Sequence, residues 1–99
     1  MNSIQDNIVK IQNLCTKYKV KDLFVFGSVL TPRFNAKSDI DMLVYFKDVP
    51  IEDYAENYFN LKFQLSELLG REVDLIEEKG IRNPIFRRNV NNSRVKIYG

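Results

Sequence analysis

The run from Asp39 to Phe46, DIDMLVYF, constrains this chain more than any other stretch. Strand residues two apart share a face, about 6.5–7 Å apart along the chain, so Ile40, Met42, Val44 and Phe46 fall on one side. That side is apolar throughout and must be covered by other parts of the molecule. The other side begins with Asp39 and Asp41 and continues with Leu43 and Tyr45. A strand of this kind keeps its core face intact while holding two carboxylates together at its start.

The rest of the chain supplies the partners such a strand needs. Ile4, Ile8, Ile11, Cys15 and Tyr18 recur at helical spacing, with Asn2 or Ser3 as the N-cap. Leu23 to Gly27, LFVFG, reads as a short buried strand. Ser28 to Ser38 is a connection in which at most one helical turn fits before Pro32, because the residue preceding a proline avoids the α region. Residues 51–69 predict the longest helix, with Ile51, Tyr54, Ala55, Tyr58, Leu61, Leu65, Leu68 and Leu69 on its stripe. Pro50, Glu52 and Asp53 suit its first turn and Gly70 its end. Glu72 to Glu77 is a third strand. Asn83 and Pro84 open a short helix to about Val90, and Arg94 to Tyr98 is a last strand at an edge. The expectation is a single domain over 1–99, of α+β or α/β type, with a small mixed sheet of about four strands flanked by helices. The first two strands could pair in either direction.

Composition closes several routes. With 15 basic and 13 acidic side chains the net charge is only +2, too small an excess to favour nucleic acid as a partner. No apolar run approaches the roughly 20 residues of a membrane span. The first residues do not read as a signal peptide, so a cytoplasmic location is expected. One cysteine excludes an intrachain disulfide, and the lack of histidine removes the commonest general base and argues against zinc. A bound metal must then be held by carboxylates and water, which select Mg²⁺ or Mn²⁺.

Two close carboxylates repel each other unless a cation or a proton lies between them. With a third, two metals roughly 3.5–4 Å apart can stabilise both the attacking and the leaving oxygen of a phosphoryl displacement. Asp74, between Val73 and Leu75 in the third strand, is the best candidate for that third group. Ten residues separate the pair Gly27 and Ser28 from Asp39; Gly27 ends the first strand and Ser28 opens the turn beyond it. Glycine there allows a positive φ and a close backbone approach, and free amides together with the Ser28 hydroxyl can donate to phosphate oxygens. The expected division is a phosphate grip at Gly27 and Ser28, with metal ligation at Asp39, Asp41 and Asp74.

The stretch FGSVLTPRFNAKSDIDMLV resembles the signature of the DNA polymerase β-like nucleotidyltransferase superfamily. With the downstream VDLI, the capped helix and the final VKIY, the chain from about Asp22 to Gly99 is similar to minimal nucleotidyltransferase domains, commonly the antitoxins of two-gene toxin–antitoxin modules. The resemblance implies Gly27 and Ser28 as nucleotide-binding residues, Asp39 and Asp41 as metal ligands, and Asp74 as the carboxylate that helps activate the acceptor hydroxyl. It implies transfer of AMP from ATP to a hydroxyl, often a tyrosine of an all-helical HEPN-type partner. Relatives that modify small molecules carry an additional domain, so a macromolecular acceptor is expected here. Oligomerisation stays open. Many relatives carry an Ala-Arg-Gly turn where this chain has Leu30, Thr31 and Pro32, and Arg33 or Lys37 are the substitutes for the missing arginine. The competing expectation is a binding module that neutralises a partner by covering it. Arg82, Arg87, Arg88, Arg94 and Lys96 are expected to be solvated surface, with contact to phosphates or an acidic partner as the other option.

Overall fold

The computed structural model describes residues 2–35 and 37–99. Four strands form one sheet: β1 (Val20–Phe26), β2 (Ile40–Phe46), β3 (Val73–Glu77) and β4 (Val95–Tyr98), in the spatial order β3-β2-β1-β4. β1 runs antiparallel to both of its neighbours, which settles the pairing left open by the sequence, and β2 and β3 run parallel. Parallel neighbours need a long crossover, and the helix α3 (Ile51–Leu69) supplies it.

The sheet has two apolar faces. Ile40, Met42 and Val44 of β2 join Leu23 and Val25 of β1 and Val73 and Leu75 of β3 under the helices α2 (Ile8–Lys17) and α3. Leu61, Leu65 and Leu69 carry the contact from α3, and Ile11 and Cys15 from α2. On the opposite face Phe24, Phe26 and Leu43 pack with Ile81 and with Val90 of α4 (Pro84–Ser93). Ile40, Met42 and Val44 are all fully buried, each contributing about 1.5–3 kcal/mol of hydrophobic stabilisation. That burial pins the register, because a slip of one residue would turn every side chain of β2 to the wrong face.

Several expectations hold and several shift. The N-terminal helical segment is broken into α1 (Asn2–Asp6) and α2, because Asn7 turns its side-chain amide back to the Ser3 carbonyl at 2.7 Å. Ser3 therefore lies inside a helix and does not cap one; the Asn2 side chain lies outside the described residues. β1 begins three residues earlier than the apolar run suggests, since Lys21 and Asp22 interrupt its hydrophobicity at a bulge. The stripe of α3 also shifts: Ile51 is 90% exposed and Ala55 is exposed, so the buried line starts at the half-buried Tyr54 and Tyr58. Gly70 ends α3 in the left-handed conformation, φ 64°. Asn83 caps α4 by accepting from the amides of Ile85 and Phe86 at 2.9 and 3.2 Å. The edge of β3 is covered by α3: Ser66 accepts from the Val73 amide at 3.1 Å and the Tyr58 hydroxyl donates to the Leu75 carbonyl. No helix among the described residues is long and apolar enough to cross a membrane.

Candidate active site

Strand register brings the predicted carboxylates together. Asp41 on β2 is the direct partner of Phe26 on β1 and of Asp74 on β3, so the three form a row across one end of the sheet. Register partners share a face and lie about 5 Å apart, and Asp39 precedes Asp41 by two residues on the same side. Asp39 and Asp74 are exposed; Asp41, in the middle, is half-buried. Burial raises the Asp41 pKa above its ordinary value, and the charges of Asp74 and then Asp39 raise it further. Tyr58 also carries a raised pKa, from burial first and then from Asp74 and Glu77. Among the described residues, no lysine or arginine forms an ion pair with any of the three carboxylates.

Gly27 follows Phe26 directly and turns the chain into a single 3-10 turn, Gly27–Leu30. Its φ is +78°, and a Cβ added to it would lie 2.5 Å from Oδ2 of Asp41. The sequence signal for close approach at residue 27 is thus answered within the chain, by a carboxylate of the site itself. The opening amides of such a turn have no partner inside it, which leaves them available to an anion in front of the strand end. Thr31 stands where the resemblance implied an arginine. Its amide and its hydroxyl both donate to the Ser28 carbonyl at 2.9 Å, and its hydroxyl accepts from the Arg33 amide at 3.2 Å. Thr31 therefore closes the turn, while the expected substitutes Arg33 and Lys37 are exposed.

Carboxylate oxygens are the donor type that Mg²⁺ and Mn²⁺ take, and a cation would relieve the repulsion that raises Asp41. The residues therefore suit a hard divalent ion in kind. Among the described residues no three acidic, histidine or cysteine side chains are gathered closely enough to hold an ion as they stand.

Two features of the site carry no signature in the sequence. Arg71, just past α3, donates from one guanidinium nitrogen to the carbonyls of Asn35 and Ser38 at 2.6 and 3.1 Å, and stacks 4.3 Å from the Phe34 ring centre. It fastens the loop that delivers Asp39. Phe86 of α4 meets Phe26 edge to face, with ring centres 6.1 Å apart. The periodicity of α4 marks its buried Val90, but it does not mark an aromatic that packs on Phe26. The basic group divides. Arg87 pairs with Glu78 and donates to the Ile81 carbonyl at 2.7 Å, Arg94 bonds the Tyr45 hydroxyl and lies over Phe24, and Lys96 pairs with Asp22. Arg87 and Arg94 are half-buried in these contacts, whereas Lys96 is exposed, as are Arg82 and Arg88 and as the sequence led one to expect.

Comparison with known proteins agrees with this fold. A protein of Methanocaldococcus jannaschii, MJ0128, described as a candidate protein adenylyltransferase, is 40% identical over 81 residues, covering 82% of this chain and 80% of the relative. A solved structure described as a candidate minimal nucleotidyltransferase superposes with a TM-score of 0.78 at 28% identity, over 95% of this chain and 92% of that one. The complex of a tri-AMPylated Shewanella oneidensis HEPN toxin with an MNT antitoxin contains the same fold, with a TM-score of 0.66 at 23% identity over 96% of this chain and 71% of that one. The family described as "Polymerase beta, Nucleotidyltransferase" matches residues 9–99, and the chain belongs to it.

Proposed function

We propose that this nucleotidyltransferase transfers AMP from ATP to a hydroxyl of a partner protein, and that the partner is an all-helical HEPN-type toxin which the modification silences. The observation that carries the proposal is the row of Asp41 and Asp74, with Asp39 beside it and Asp41 packed against Gly27 at the start of the 3-10 turn. The protein-adenylyltransferase description of the curated relative supports the reaction class. The AMPylated toxin in the complex that shares this fold supports the acceptor class.

In this scheme Gly27 and Ser28 orient the triphosphate through their amides and the Ser28 hydroxyl. Asp39, Asp41 and Asp74 would hold Mg²⁺, which supplies charge neutralisation at the phosphates. Asp74, exposed on the edge strand, takes the proton of the acceptor hydroxyl as its oxygen bonds to the α-phosphorus. The bond from that phosphorus to the bridging oxygen breaks, and pyrophosphate leaves. Reliance on ATP puts the reaction in the cytoplasm. The test is incubation with α-labelled ATP, Mg²⁺ and the protein encoded beside it. Label on that protein is expected, and the doubly substituted Asp39→Ala, Asp41→Ala chain should give none while keeping its fold. Absence of label from every nucleoside triphosphate would refute transfer.

A second reading, neutralisation by covering the partner, is favoured by one observation. Ile51, Phe59 and Phe63 of α3 are 90%, 62% and 60% exposed, at helical spacing along one side. If the doubly substituted chain still protects cells from the toxin, covering suffices and transfer is dispensable.

A further inference from the structure

We propose that Phe86, with Ile85 beside it in the first turn of α4, is the platform on which the nucleobase of the substrate stacks. The inference rests on the nucleotide site described above and names the residue that reads its base. Phe26 and Asp41 are register partners, so the Phe26 ring stands on the same face of the sheet as the Asp41 carboxylate. Phe26 itself is covered, 5% exposed, and the ring of Phe86 lies 6.1 Å from it at 74°. Phe86 is thus joined to the row of carboxylates through the Phe26 ring, on the face of the sheet where a nucleotide held by that row would extend its base.

The exposure of this pair has no structural explanation. The core on this face is closed by Ile81 and Val90, which are 8% and 2% exposed, yet Phe86 and Ile85 remain 39% and 70% exposed. The other large exposed apolar side chains among the described residues are placed elsewhere. Val9, Ile51, Phe59 and Phe63 belong to the helices of the opposite face, and Val95 pairs with Val25, whose side chain faces that same core. Ile85 and Phe86 are thus the open apolar surface on the side where a nucleotide would lie. Asn83 fixes them there by capping the amides of both residues. A stacking platform without hydrogen-bonding groups accepts any base and favours the larger purine ring, so the class of ligand is a nucleoside triphosphate with a graded preference for purines.

Two probes, ATP and inorganic tripolyphosphate, test the assignment with Mg²⁺ and the isolated chain. Phe86→Ala should weaken ATP binding roughly five- to a hundredfold and leave tripolyphosphate binding unchanged. Phe86→Leu, which preserves an apolar contact with Phe26, separates loss of stacking from loss of fold and should weaken ATP nearly as much. The chain contains no tryptophan, so Phe86→Trp supplies a lone reporter whose emission should change with ATP and not with tripolyphosphate. Equal losses for both probes, unchanged ATP binding, or a defect confined to partner labelling would each overturn the platform and leave the carboxylate site standing. Failure of the unmodified chain to bind either probe would instead sink the nucleotide site, and the platform with it.

Discussion

The carboxylate of Asp41 occupies the space that a side chain at residue 27 would need. A Cβ on Gly27 would sit 2.5 Å from Asp41 Oδ2, and the backbone there has φ +78°. Gly27→Ala therefore meets two penalties, left-handed backbone strain of order 1–3 kcal/mol and displacement of a carboxylate from the centre of the site. The expected outcome is a melting temperature lowered by several degrees and AMP transfer reduced at least tenfold. Combining it with Asp41→Ala should relieve the clash but keep the strain, so Gly27→Ala should destabilise the Asp41→Ala chain less than the unmodified one in a thermal-denaturation cycle.

Asp41 is held in place against its own preference for water. Its folded pKa lies above the ordinary value of 3.8, through burial and then the charges of Asp74 and Asp39. As the pH rises through 3.8 the unfolded chain gives up this proton more readily than the folded one. The stability associated with the group is therefore complete below that pH and is lost above it. Asp41→Asn should melt a few degrees above the unmodified chain at pH 7, with the gap closing toward pH 3, while transfer disappears. Mg²⁺ with ATP should raise the melting temperature of the unmodified chain and leave Asp41→Asn unmoved.

Cys15 tests the core beneath the site from the other face. It is fully buried with Ile11 and Leu61, and burial pushes its thiol up to about 12 from 9.0. Iodoacetamide at pH 8 should leave the native thiol unmodified, and labelling should proceed at the rate of unfolding. The unfolded thiol ionises first, so stability should fall as the pH climbs from 9 toward 12. Urea titrations at pH 8 and pH 10 would show the change.

The strand carrying Asp41, with Asp39 just before its first residue, was legible because its alternation leaves one arrangement for a buried face. Gly27 was legible because few residues tolerate a positive φ at the end of a strand. Asp74 could be read as a candidate, since a carboxylate between Val73 and Leu75 faces away from the core; its pairing with Asp41 depends on a parallel crossover that no local pattern specifies. The break at Asn7 and the early start of β1 at Val20 were hidden. The early start depends on Asp22, whose partner Lys96 is set by the fold; the break depends on a local bond from Asn7 to the Ser3 carbonyl, which competes with a helical periodicity that runs unbroken through the segment. Arg71 and Phe86 were hidden for a further reason: a lone arginine after a helix, or an aromatic in a helix's first turn, is ordinary until its neighbour in space is known.

Arg71 is the hidden residue with the most direct consequence for Asp39. Its guanidinium joins the end of α3 to the Asn35 and Ser38 carbonyls and lies against Phe34, and no other side chain among those described is recorded bonding both carbonyls. Hydrogen bonds from a charged donor contribute about 1.5–3 kcal/mol, and a planar cation on an aromatic face adds about 0.5–1. Arg71→Ala should lower stability by about 1–3 kcal/mol and speed amide exchange at Ser38 and Asp39. Arg71→Lys retains the charge but loses the planar fork that spans two carbonyls and a ring, and should recover less than half of that stability. Because the loop carries Asp39, transfer by both variants should fall in kcat more than binding of ATP weakens. An unchanged kcat with lowered stability alone would reduce Arg71 to a purely structural tie.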